Sequence, residues 1–119
     1  MSEFKSSSFF IERIAAGYSV AFFKPGCPFC SASAVLIQAL IDTKKVDSFE
    51  IYTLDTDFTN ETVLEVSSHF GWKPDGIQAF PSKPQIFINK QLIGGNREFY
   101  ASNWNTGEGF PQLQNPMRF

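Results

Sequence analysis

The apolar positions of this chain change period several times, and each change marks an element. Phe10, Ile11 and Ile14 recur at helical spacing after a candidate N-cap at Ser8, and Gly17 stands where a left-handed residue would end that helix. Tyr18-Ser19-Val20-Ala21-Phe22-Phe23 then runs into Pro25-Gly26, the pattern of a strand buried on both faces. Val35, Leu36, Ala39 and Leu40 return at intervals of three and four and predict a helix over about 27–42. Pro28 falls near its start, where a missing N–H costs little. Ser48 to Leu54 alternates with period two before Asp55-Thr56-Asp57, a second strand ending in turn residues. Strand, helix and strand make a βαβ unit, whose right-handed crossover puts residues 27–30 at the carboxyl end of the first strand. Open α/β sheets place their chemistry at that edge.

Further along, Thr59 or Asn60 can cap a helix whose stripe is Val63, Val66 and Phe70, ended by Gly71. Pro74, Asp75-Gly76 and Pro81 break the segment 71–83 into a surface loop. Gln85 to Ile88 and Gln91 to Ile93 read as a hairpin around Asn89-Lys90, although glycine is preferred at the second turn position. Gly94-Gly95 opens one or two helical turns over Asn96–Trp104, with Asn96 as candidate cap. Residues 105–119 hold two glycines and two prolines among Phe110, Leu113, Met117 and Phe119 and suit an irregular tail laid over apolar surface. Residues 1–7, Ser-rich and polar, are expected to be poorly ordered. With 119 residues, one domain spanning 1–119 is expected.

Composition narrows the classes. Hydrophobic residues make up 43% and charged residues 18%, as in a chain that folds around one core. The net charge of −2 and the lack of a dense basic run remove the footprint that nucleic-acid binding needs. Glu12 and Arg13 interrupt the segment a signal peptide would need apolar, and no run approaches the roughly 18 apolar residues of a membrane helix. A soluble, cytoplasmic protein without membrane partners is the expectation.

The candidate chemistry sits in Cys27-Pro28-Phe29-Cys30, which holds both cysteines. They cannot staple distant parts of the fold. At a helix start, unsatisfied N–H groups and the helix dipole favour a thiolate. Cys27 has that position, so Cys27 is the expected nucleophile and Cys30, one turn in, the residue that resolves the mixed disulfide. Lys24 can add positive charge beside the sulfur or pair with a substrate carboxylate. A zinc site would need more ligands than this pair and the lone His69 provide, so no metal is expected. A [2Fe–2S] cluster shared by two chains with external thiols stays open, and so does an inert buried pair.

FFKPGCPFC, followed about fifty residues later by SKPQIFINKQLIGG, resembles the paired signatures of the glutaredoxin family over residues 18–96. In that family a lysine precedes the catalytic cysteine by three, a Thr-Val-Pro turn faces the thiols, and Gly-Gly-x-Asp begins the last helix. Lys24, Ser82-Lys83-Pro84 and Gly94-Gly95 stand at those places. The resemblance implies a cis bond before Pro84, and backbone pairing of Lys83 with the cysteinyl part of glutathione. It further implies that Lys24 holds the glycine carboxylate, that Phe29 packs beside the tripeptide, and that the Gly95-Asn96-Arg97 amides receive the γ-glutamyl carboxylate. Arg97 departs from the family, which has an acid there; Glu98 is the candidate substitute.

The resulting expectation is an α/β, thioredoxin-like three-layer fold with a central mixed sheet of four strands. It implies a monomeric thiol–disulfide oxidoreductase that reduces protein disulfides or glutathionylated proteins, with glutathione as co-substrate. A thioredoxin-type reductant recycled by a flavoprotein reductase and a glutathione-ligated [2Fe–2S] carrier are the alternatives.

Overall fold

The computed structural model describes residues 4–74 and 80–102. Strand β1 (Val20–Phe23) runs parallel to β2 (Glu50–Thr53), with Val20 opposite Glu50 and Phe23 opposite Thr53. On its other side β1 pairs antiparallel with β3 (Gln85–Ile88), which pairs antiparallel with β4 (Gln91–Gly94). The spatial order is therefore β2-β1-β3-β4, a mixed sheet of four strands.

Because successive strand residues point to opposite faces, β1 and β3 divide their apolar side chains between two cores. Val20, Phe22 and Phe87 meet Phe10 and Ile14 of helix α1 (Ser7–Ala15) and Val63 and Val66 of α3 (Asn60–His69). Ala21, Ile86 and Ile88 meet Leu36, Ile37 and Leu40 of α2 (Pro28–Asp42) and Phe99 and Tyr100 of α4 (Asn96–Ala101). Two helices on each face of one sheet make the three expected layers. The α1 face is aromatic: Phe10 meets Phe22 at 4.9 Å and Tyr52 at 4.8 Å, and Phe22 meets Phe58 at 4.9 Å, all edge to face. Such pairs add about 1 kcal/mol each beyond burial.

Several element ends differ from the sequence pattern. Helix α1 is capped by Ser6, not Ser8: the Ser6 side chain accepts from Phe9 N at 3.1 Å. Of the stretch 1–7, residues 5–7 are tied down, because Lys5 N donates to Asp57 O at 2.8 Å and Ser7 already begins the helix, and residues 1–3 lie outside the described residues. Val35, assigned to the apolar stripe of α2, is 52% exposed, and Ile37 takes its place. At 100° per residue, an arc centred between Leu36 and Ile37 leaves Val35 on the far side. Helix α3 starts from Thr59, whose side chain accepts from Thr62 N. Helix α4 is capped by Gly95, not Asn96. Asp75-Gly76, Trp104 and the tail 105–119 lie outside the described residues.

Candidate active site

Strand β1 delivers the dithiol. Beyond Phe23 the chain turns through Lys24-Pro25-Gly26, and Gly26 at φ +72° supplies a left-handed step that other residues adopt at a cost. Cys27 then caps α2 in extended geometry, with Pro28 in the first turn. Its sulfur does what a serine or aspartate oxygen does at other helix starts: Sγ accepts from Cys30 N at 3.4 Å. The thiol also faces the carbonyl of Lys83, to which it donates at 3.8 Å. The Lys83–Pro84 peptide bond is cis.

The two sulfurs have different surroundings. Cys27 keeps 7% exposure and forms part of a cleft wall, whereas Cys30 at 3% lies beneath it. Cys30 Sγ accepts from Lys24 N at 3.5 Å, yet burial, the larger effect, pushes its thiol up to about 12. One sulfur is therefore presented at a helix mouth, and the other is held as a protonated reserve behind it.

The cleft beside Cys27 has a volume of about 480 Å³ and is lined by Lys24, Phe29, Asn60, Pro81 and Lys83 among others. A second hollow of about 280 Å³ adjoins it, bounded by Phe29, Lys83, Pro84, Gly95, Asn96 and Arg97. Phe29, Ser82 and Lys83 border both, so the two form one groove. Every residue that the sequence reading assigned to glutathione borders this groove, and Cys30 lies below it.

Within the groove the side chains take parts that the sequence did not disclose. Asn96 is buried, and its Oδ1 accepts from Ser33 Oγ at 2.8 Å, which ties α4 to α2. Glu98 Oε1 accepts from Gly95 N at 2.9 Å and so bonds the backbone at the start of α4. This is one half of a capping box; Gly95 has no side chain to return the bond. Gly94 sits at φ +120°, and a Cβ there would come within 2.9 Å of the Glu98 side chain, so both backbone geometry and space require glycine. A Glu three residues after a Gly-Gly pair was the available signal for this cap. Asn60, the first residue of α3, was missed as a groove residue because nothing local in the sequence places α3 beside the Pro84 loop.

A thiol that caps a helix after a central strand of a β2-β1-β3-β4 sheet, with a second thiol one turn behind it, fits a dithiol protein of the thioredoxin-like class. Solved structures share the fold. The crystal structure of oxidized glutaredoxin 2 from Chlamydomonas reinhardtii superposes with a TM-score of 0.56 over 91% of this chain and 90% of that one, at 18% identity. The buckwheat glutaredoxin–glutathione complex does so with 0.59 over 90% and 86%, also at 18%. No family model matches the chain. By sequence, glutaredoxin 1 of Salmonella typhimurium is 31% identical over 84 residues, covering 71% of this chain and 87% of that protein. The chain thus belongs to the glutaredoxin family, and its activity is thiol–disulfide oxidoreduction.

Proposed function

We propose that this glutaredoxin reduces protein disulfides and glutathionylated protein thiols with glutathione as its recycling thiol, in a reducing, cytoplasmic setting and as a monomer. The observation that carries the reading is the continuous groove that runs from Lys24 past Cys27 and Pro84 to the start of α4. A peptide-sized ligand laid along it would bring its disulfide to Cys27. The buckwheat relative is a complex with glutathione, which fits a groove of this form.

The chemistry runs in two exchanges. The Cys27 thiolate attacks one sulfur of the target disulfide, a mixed disulfide forms, and the other sulfur departs as a thiolate. Cys30 then attacks the Cys27 sulfur, its proton passes to the departing thiolate, and a Cys27–Cys30 disulfide remains. Two glutathione thiols return the protein to the dithiol and leave as glutathione disulfide. In this scheme Lys24 pairs with the glycine carboxylate, Phe29 packs on the tripeptide, and the Lys83 backbone and Pro84 align its cysteinyl part. The amides of Asn96 and Arg97 meet the γ-glutamyl carboxylate, since Gly95 N is already bonded to Glu98.

A glutathione-coupled assay tests the scheme. Cys27→Ser is expected to abolish turnover of both substrate types. Cys30→Ser is expected to retain glutathione mixed disulfides and lose protein disulfides. Lys24→Ala is expected to raise KM for a glutathione mixed disulfide by about fivefold, the scale of one exposed ion pair of about 1 kcal/mol. Unchanged KM in this variant would remove the groove assignment, and iron with acid-labile sulfide in the purified protein would favour the cluster carrier.

A further inference from the structure

Lys83 stands where the family resemblance has valine, and the scheme above uses only its backbone. Its side chain is not idle. Nζ donates to Asn60 Oδ1 at the start of α3 and lies 3.4 Å from Pro81 O, so the ammonium is turned toward the cleft that holds Cys27 and Lys24. Both acceptors are neutral. Among the described residues the one ion pair is Arg13–Glu50, so neither Lys24 nor Lys83 has a carboxylate within pairing distance. Asp55 is the acid whose charge reaches Lys83, and it does so from outside that range. Burial and repulsion from Lys24 both disfavour the charged amine. Two cations line one end of the cleft, and among the described residues no carboxylate pairs with either.

We propose that the Lys83 side chain is a specificity element, which with Lys24 forms a two-cation carboxylate site at the α3 end of the cleft, positioned by Asn60. An arriving carboxylate relieves the repulsion between the lysines and pairs with both, in a partly water-excluded wall where such pairing is stronger than on an open surface. That carboxylate comes either from the glycine end of glutathione or from an acidic residue beside the target cysteine. The proposal rests on the disulfide-exchange reading of the groove.

Two substrate pairs separate the sources. The first is a mixed disulfide of a neutral peptide with glutathione, compared with the same disulfide whose glycine carboxylate is amidated. The second is a peptide mixed disulfide with Glu beside the cysteine, compared with Gln. For the wild-type protein at low salt, kcat/KM is expected to favour the carboxylate member of at least one pair by about tenfold, a preference that salt reduces. Lys83→Gln, which keeps a polar group toward Asn60 but no charge, is expected to lower that ratio at least threefold, as is Lys83→Met if it folds; Lys83→Arg is expected to retain it. A Lys83→Gln ratio equal to the wild-type ratio in both pairs would overturn the proposal, as would equal losses on both members, the mark of a merely structural tether. No turnover of any substrate by the wild-type protein would instead overturn the underlying reading, and this inference with it.

Discussion

At the scale of single residues, the function comes down to two identical side chains in unlike surroundings. Cys27 caps a helix and faces a groove; Cys30 lies behind it, with its thiol pushed up to about 12 chiefly by burial. This division was legible in the sequence, because C-P-x-C placed after a buried strand fixes which cysteine opens the helix. Glu98 was legible only as a candidate. A single exposed acid after Gly-Gly has many possible partners, and only the backbone path through Gly94 at φ +120° brings Gly95 N to its carboxylate. Glu98→Ala removes that bond and a negative charge near a helix start. It is expected to cost about 0.5–1 kcal/mol of stability in denaturant titration, and no loss would show that the carboxylate contributes nothing there. Asn96 teaches the same lesson from inside: an asparagine after glycine reads as a cap, yet its side chain is committed to Ser33 across the helix interface.

At the scale of elements, strong periodicity carried further than capping chemistry. Strands β1 and β3 and helices α2 and α3 follow from apolar pattern alone, since burial on one or two faces leaves a direct mark. Ends depend on one or two hydrogen bonds and leave a weaker one. Ser6 and Ser8 are chemically equal candidates, and the choice is made by Lys5 bonding to Asp57, a contact that exists only in the folded chain. The hairpin is an instructive middle case. Asn89 at φ 56° and Lys90 at φ 66° form a two-residue turn with both residues left-handed, the arrangement in which glycine is favoured at the second position. Lys90→Gly relieves that strain but adds freedom to the unfolded chain, and a net gain of about 0.5 kcal/mol is expected by thermal unfolding. A destabilised variant would mean that the lysine side chain contributes more than its backbone costs.

At the scale of the whole molecule, the sheet order β2-β1-β3-β4 explains why the site exists at all. β1 is central and brings Cys27 to the sheet's edge; β3 lies antiparallel beside it, so the loop entering β3 arrives at the same edge with Pro84. Alternation along β1 and β3 then loads two cores, one that packs α1 and α3 on one face and one that holds α2 and α4 against the other. This juxtaposition of residues more than fifty positions apart is a product of topology. It could be anticipated from sequence only through the resemblance to a known family, not from local pattern. Asn60 and the Lys83 side chain were missed for the same reason, since they meet across two elements.

The central claim is that Cys27 reacts and Cys30 waits. Iodoacetamide labelling of the reduced protein, followed by mass spectrometry of each cysteine across pH, tests it most directly. A thiol at about 12 has a thiolate fraction that stays small at pH 8 and grows tenfold per pH unit. Cys27, at the groove wall, is expected to be carbamidomethylated at neutral pH while Cys30 stays unmodified and reacts only as the pH is raised. Labelling of Cys30 at neutral pH as fast as Cys27, or before it, would contradict the account.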